Sequence, residues 1–302
     1  MARQHVLILG GTGFVGRHLA ARLLGDGHRV TVLSRGGDAG RRAQLPRGAS
    51  VIEGDVADGQ FLRAVLDDAD AVVNLTGILN ERGDDGDGFR QVFVGLTETL
   101  VQAMRDMRVR RLLQMSALHA TDGASHYLMA RGEADKRVRA SQLDWTIFRP
   151  SVIAGPGDGL FCRFDGLLKL APVLPIGRAD AKFQPVWVGD VADAFARALV
   201  DDKTIGQVYD LVGPDTMSLA EIVRFTARAR RRTRFVIPLP PGLGKLQAEV
   251  GEHLPGKPIS RDNWRSLQLD STSADNGLPK LGLTPTPVLP KLPEILGIAR
   301  DA

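Results

Sequence analysis

The sequence predicts an α/β protein, a doubly wound parallel sheet with a smaller unit interleaved toward its C-terminal end, and three observations predict it. Short β-rich runs alternate with helical stretches through the first half of the chain. A glycine-rich turn at residues 10–16 stands between the first such run and the first helical stretch. After Arg149-Pro150 the texture changes, and beyond Pro238 proline and glycine become frequent. Repeated strand–helix–strand order implies parallel strands joined by right-handed crossovers.

In chain order, the apolar run His5–Leu9 is the first strand and residues 14–24 the first helix. Residues 30–34 and Ser50–Glu53 are the second and third strands, and a helix follows over residues 60–66. Residues 71–76 form a fourth, buried strand, and a long amphipathic helix fits residues 89–107. A fifth strand at 111–116, a helix at 127–140 and a sixth strand at 145–148 complete the alternating half. Gly155-Pro156-Gly157-Asp158-Gly159 is a loop, and Phe161–Leu170 a short apolar helix. Residues 186–188 and 208–212 read as strands returning to the main sheet, with a helix over 191–200 between them. Ser218-Leu219-Ala220-Glu221 has the spacing of a capping box, serine at the N-cap and glutamate three residues on. Short helices fit residues 243–250 and 292–298. The expected division is a dinucleotide-binding unit of residues 1–155 plus 186–212, and a substrate or partner unit of 156–185 plus 213–302.

The 302 residues, 43% hydrophobic and 25% charged, suit a globular protein with a sizeable core. The net charge of +4 is mild, and one cluster, Arg228, Arg230, Arg231, Arg232 and Arg234, exceeds it. So local a basic excess argues against nucleic acid as a partner. A single cysteine, Cys162, excludes an intrachain disulfide and a cysteine-based metal site, and the six histidines show no ligand spacing, so no metal is expected. No window approaches the roughly 18 apolar residues of a membrane-spanning helix. The first strand begins too early for a signal peptide. A cytoplasmic location is therefore expected.

The glycine turn carries the chemistry. Gly10, Gly13 and Gly16 form a G-x-x-G-x-x-G pattern within Gly10-Gly11-Thr12-Gly13-Phe14-Val15-Gly16, directly after a strand and opening a helix. Glycine permits the sharp turn, the approach of a pyrophosphate and close helix–strand packing, while the helix N-terminus binds the phosphates. This is the Rossmann-type arrangement for a nicotinamide dinucleotide. An NAD-binding chain carries an acid at the end of the second strand. Here Ser34-Arg35-Gly36 stands instead, and Arg35 suits a 2′-phosphate, so NADP(H) is expected over NAD(H). An arginine stacked on adenine is the other reading. Asp55 and Val56 after the third strand are placed for adenine, and Asn74, Leu75, Thr76 and Gly77 after the fourth for ribose. Each reads equally well as a loop cap.

Beyond these motifs the chain resembles extended or atypical short-chain dehydrogenases/reductases, the NAD-dependent epimerase/dehydratase group. More narrowly it is similar to bacterial relatives of the nucleotide-binding accessory subunit of respiratory complex I. The resemblance spans nearly the whole chain. It is carried by residues 10–16, Met115-Ser116-Ala117, Phe148-Arg149-Pro150-Ser151, Gly155-Pro156-Gly157-Asp158, residues 183–191 and Pro255-Gly256-Lys257-Pro258. It implies a serine after the fifth strand, Ser116, and a Tyr-x-x-x-Lys helix, where the tyrosine is acid or base and the lysine lowers its pKa and holds the nicotinamide ribose. Tyr127 takes the tyrosine's place, but Arg131 stands where lysine belongs. Positions i and i+4 share a helix face, so the charge is retained. Arginine does not release its proton at working pH, which closes a relay through that position. Arg149-Pro150 reads as the stretch meeting the carboxamide, or as a plain strand terminator.

Phe161, Phe164, Leu167, Leu168, Leu170, Pro172 and Phe183 form an apolar set, read as a face for a lipid-like or isoprenoid substrate or as ordinary core. Three functions follow. The first is an NADPH-dependent oxidoreductase or epimerase-like enzyme acting through Ser116, Tyr127 and Arg131 on a small apolar substrate, quinone- or isoprenoid-related. The second is a non-catalytic, NADPH-stabilised accessory or assembly protein of membrane quinone or respiratory machinery. The third is an NmrA-like redox sensor. The arginine cluster beside Phe235 suits anionic headgroups at the inner membrane face, or a solvated helix end.

Overall fold

The computed structural model describes residues 3–37, 39–254 and 257–299; Pro255 and Gly256 of the last resemblance segment lie outside the described residues. Seven strands form the main sheet: β1 (His5–Leu9), β2 (Arg29–Ser34), β3 (Ser50–Glu53), β4 (Ala71–Asn74), β5 (Arg111–Met115), β6 (Asp144–Pro150) and β7 (Gln207–Leu211). Their order is β7-β6-β5-β4-β1-β2-β3, and every neighbouring pair is parallel. Strands covered on both faces read as unbroken apolar runs, and every residue of β1 and β4 is buried. This is the doubly wound Rossmann-type sheet expected from the sequence.

Alternate side chains of β1 feed two cores. Val6 and Ile8 join Leu19 and Leu23 of α1 (Phe14–Gly25) on one face. Leu7 and Leu9 meet Leu62 and Leu66 of α2 (Gly59–Leu66) and Leu100 of α3 (Leu96–Asp106) on the other. Each such fully buried leucine contributes about 2 kcal/mol relative to exposure. Before α3, the expected single helix is in fact an α-turn at Asp87–Arg90 and a π-helical stretch at Gln91–Gly95, across which Phe89 and Phe93 stack 6.0 Å apart. α4 (His126–Arg139) then runs between β5 and β6.

Residues 186–188 do not return to the main sheet. Val186–Trp187 pairs instead with Ile153–Ala154, just past the end of β6, and Val188 already opens α6 (Val188–Val200). The reason is occupancy: β6 has β5 on one side and β7 on the other. Helix α5 (Phe161–Leu170) packs on α7 (Leu219–Ala229), which begins with the expected capping box of Ser218 and Glu221. Val173–Gly177 pairs in parallel with Phe235–Leu239, and Lys182–Phe183 antiparallel with Met217–Ser218. α8 (Pro241–Gly251) follows the ribbon. The last helix ends at Ile295 rather than 298.

The C-terminal stretch is stitched back onto the sheet. Leu278 and Leu281 sit in the core with Phe195, and Thr286 donates from N and Oγ1 to Asp190 at 2.6 and 2.7 Å. No helix among the described residues is long and apolar enough to cross a membrane.

Candidate dinucleotide and catalytic site

The strand order reverses between β1 and β4, so the cleft opens at their carboxyl ends. The loops that follow these strands touch. Gly10 holds φ +74°, and a Cβ there would lie 2.9 Å from the Leu75 carbonyl oxygen. Gly16 lies so close to the loop that its Cβ would stand 2.5 Å from the Gly11 oxygen. Gly13 is the N-cap of α1, in extended conformation, with no side-chain cap and no acid in the first turn. Thr12, Phe14 and Val15 are half-buried around it. A side-chain-free cradle under an uncapped helix N-terminus fits a pyrophosphate. Arg17, which sequence reasoning passed over, donates to Pro156 O at 2.5 Å and Gln44 Oε1 at 2.7 Å, tying α1 to the Gly155–Gly159 loop. Its one signal was a cation directly after Gly16.

At the end of β2, Ser34 Oγ accepts from Gly36 N at 3.3 Å, and Arg35 is exposed, with no hydrogen-bond or ion-pair partner among the described residues. The neighbouring acid, Glu53, is paired with Arg42. Asp55 is exposed, with Oδ1 accepting from Ala57 N at 2.9 Å, and Val56 is buried in the core. Asn74 is spent on its own loop: Oδ1 accepts from Thr76 N and Oγ1, and Nδ2 donates to Gln114 Oε1. Leu75 N continues the β4 ladder to Leu9 O at 3.0 Å. Gly77 faces Arg131, whose Nη2 would lie 2.8 Å from an added Cβ.

α4 is held firmly. Ser125 caps Leu128 N, and Asp262 accepts from His126 N at 2.7 Å and Tyr127 N at 3.1 Å. The Tyr127 ring stands edge-on to Phe89 and Phe93. Arg131, only 6% exposed, donates from Nη1 to Met115 O at 2.9 Å and to Thr76 O at 3.4 Å. Its guanidinium lies 3.9 Å from the Phe93 ring centroid and 5.5 Å from that of Tyr127. Thus the residue at the lysine position bridges the ends of β4 and β5. Ser116 is 2% exposed; its N donates to Phe148 O at 2.7 Å, and its Oγ has no hydrogen-bond partner among the described residues.

One turn past Arg131, Asp135 is 1% exposed and completes a row at four-residue spacing that sequence reasoning missed. Its Oδ2 accepts from Arg149 Nε and Nη2 at 3.0 and 2.8 Å. Burial pushes its carboxyl up, against the opposing pull of the Arg149 and Arg131 charges. Ser116 Oγ, Arg131 Nε and Asp135 Oδ1 are buried with no hydrogen-bond partner among the described residues. Arg149 is thus engaged by Asp135, and buried Pro150 accepts at its carbonyl from Leu118 N at 3.0 Å.

Around Tyr127 the C-terminal segments form an ion network. Asp84, His126 and Asp262 converge within 4.8 Å, and Arg265 pairs with Asp84 at 2.5 Å and Asp262 at 3.5 Å. Arginine charge already answers these carboxylates. Glu81 accepts from the amides of Gly86, Gly88 and Phe89, and Lys257 donates to Glu81 O. The apolar set divides. Phe161 and Leu168 are core, with half-buried Phe164 and Phe183 packed against it, while Leu170 and Pro172 face outward. It is not one substrate face, because helical spacing turns its members to different sides. The arginine cluster also divides: Arg230 and Arg232 bind Asp165, and Arg234 donates to Leu168 O.

A family model described as NAD(P)H-binding matches residues 10–161. The chain is 30% identical over 288 residues to the mitochondrial NADH dehydrogenase [ubiquinone] 1 alpha subcomplex subunit 9 of Arabidopsis thaliana, covering 90% of this chain and 71% of that protein. It is 30% identical over 270 residues to the ceramide reductase of Caulobacter vibrioides, covering 88% and 80%. Among solved structures, UDP-glucuronic acid 4-epimerase from Bacillus cereus, in complex with UDP-glucuronic acid and NAD, superposes with a TM-score of 0.77. It is 16% identical and covers 97% of this chain and 98% of its own. That likeness shows the fold alone.

Proposed function

This chain belongs to the NAD(P)H-binding family, and from that premise we propose that it is an NADP(H)-stabilised accessory protein in which the dinucleotide is chiefly structural. The observation that carries the reading is Arg131, whose charge is committed to Met115 O, Thr76 O and the Phe93 ring. A lysine free to hold ribose and tune Tyr127 has no counterpart, and Ser116 Oγ is sealed from solvent.

In this reading Gly10, Gly13 and Gly16 admit the pyrophosphate to the amides that open α1. Ser34 and Arg35 take the 2′-phosphate, and the Arg42–Glu53 pair removes the nearest repelling charge. Val56 and Asp55 border adenine, Asn74, Leu75, Thr76 and Gly77 shape the ribose wall, and Arg149-Pro150 closes the carboxamide end. When bound, the dinucleotide supplies a hydride donor or acceptor. A ligand that binds only the folded state stabilises it by mass action. Complex I subunits among the relatives support respiratory or quinone machinery as the partner.

A second reading keeps turnover, and two observations favour it: Tyr127 is retained on α4, and one relative is a ceramide reductase. Its substrate would be an apolar carbonyl compound.

Protein purified without added cofactor, then denatured, should release NADP(H) identifiable by mass spectrometry. NADPH should bind more tightly than NADH and persist on exposure to quinones and long-chain carbonyls. Steady consumption of NADPH would overturn the accessory reading, and a preference for NADH would overturn the assignment of Arg35.

A further inference from the structure

Scattered exposed apolar side chains are ordinary, whereas their concentration calls for a partner. Eight of the twelve large ones exposed among the described residues fall within two short stretches, 170–173 and 235–254. Leu170, at the end of α5, is 86% exposed, and Phe235 is 63% exposed. The ribbon register sets Phe235 beside Val173 and Ile237 beside Pro175, while Leu174 and Val236 turn inward to the core. Alternation therefore gives the ribbon one outward apolar face.

α8 extends that surface. Its buried stripe is Gly244, Ala248 and Gly251, with Gln247 bonding the strand edge at Gly177 N and Pro175 O. At about 100° per residue, Leu243, Leu246 and Val250 share an arc of about 60° turned away from that stripe. All three are exposed. A helix serving only its own fold would be polar there.

The segment that carries this surface is basic. Residues 224–254 carry seven basic and two acidic side chains, net +5, against +4 for the whole chain. Asp165 engages Arg230 and Arg232, while Arg224 and Arg228 are exposed. A second copy docking here would set arginine against arginine. We propose that the outer face of the ribbon and α8 is a docking surface for an anionic lipid bilayer. The leucines and Phe235 enter the acyl boundary, and the arginines meet headgroup phosphates. The proposal adds a surface to the respiratory or quinone partnership proposed above and rests on that reading only for where the protein works.

The test is co-sedimentation of the full chain with vesicles of phosphatidylcholine alone and of phosphatidylcholine with phosphatidylglycerol. Binding is expected to the second only, and to fade with salt. Arg228→Gln should weaken it about fivefold. A Phe235→Ser/Leu246→Ser double variant should weaken it at least about tenfold, with an unchanged melting temperature. Absence of binding to anionic vesicles, or variants that bind as the parent does, overturns the proposal. So does a dimer in sedimentation velocity that the double variant dissociates, which would assign the face to a second copy. The vesicle assay uses no dinucleotide chemistry, so its failure leaves the role of NADP(H) standing.

Discussion

Replacing Arg131 separates a structural arginine from a cofactor ligand. The bond to Met115 O, 2.9 Å from a charged donor, is worth about 1.5–3 kcal/mol. Stacking 3.9 Å from the Phe93 centroid adds about 1–2 kcal/mol, and the 3.4 Å contact with Thr76 O adds little. The desolvation of a guanidinium whose Nε has no hydrogen-bond partner among the described residues offsets part of this. Arg131→Ala should therefore cost about 3 kcal/mol, and Arg131→Lys, which keeps the charge and reaches one carbonyl, about 1–2 kcal/mol. The assay is urea denaturation of cofactor-stripped protein, repeated with NADPH. At a hundred times Kd the ligand adds about 2.7 kcal/mol, and that increment should survive in Arg131→Ala. If stripped stability is unchanged while the increment disappears, Arg131 is a cofactor ligand and not a structural arginine. Gain of carbonyl-dependent NADPH oxidation in Arg131→Lys would likewise sink the accessory reading.

Gly16→Ala drives a methyl into Gly11, so a loss of about 1–3 kcal/mol and at least tenfold weaker NADPH binding are expected, read by melting and fluorescence titration. Arg35→Asp should weaken NADPH by about 10- to 100-fold and leave NADH nearly unaffected; equal losses for both would point to adenine stacking instead. Asp262→Ala removes the acceptor for His126 and Tyr127 amides and should cost about 1–2 kcal/mol in urea denaturation. Burial, and then the Arg17 charge, hold the His18 imidazole below its ordinary value. The unfolded chain therefore takes up this proton first, and stability present above about pH 6.5 falls as pH drops through the folded-state value. His18→Gln should flatten the stability profile between about pH 7 and pH 5.

The sheet and the glycine turn were legible because their signals are local. A buried parallel strand must be apolar throughout, and no residue but glycine fits where Gly10 turns left-handed and Gly16 meets Gly11. The capping box at Ser218 belongs to the same class, since four consecutive residues contain all its partners. The site residues differ in kind. Tyr127 and Arg131 are candidates because the resemblance puts a Tyr-x-x-x-Lys motif there, and such a motif says nothing about which acceptor a guanidinium chooses. That choice depends on Met115, Thr76 and Phe93, brought together from three elements. Asp135 stayed hidden because an aspartate in a basic helix reads as surface until Arg149 arrives from β6 to bury it. The misplaced strand at 186–188 has a similar cause, for its pairing depended on β7 having taken the edge beside β6. Sequence alone determined the architecture and the glycine turn, where backbone sterics and burial act within a few residues. Tertiary structure alone decided the roles of the charged side chains, because a long cation's role is set by its nearest acceptors, and those come from distant parts of the chain.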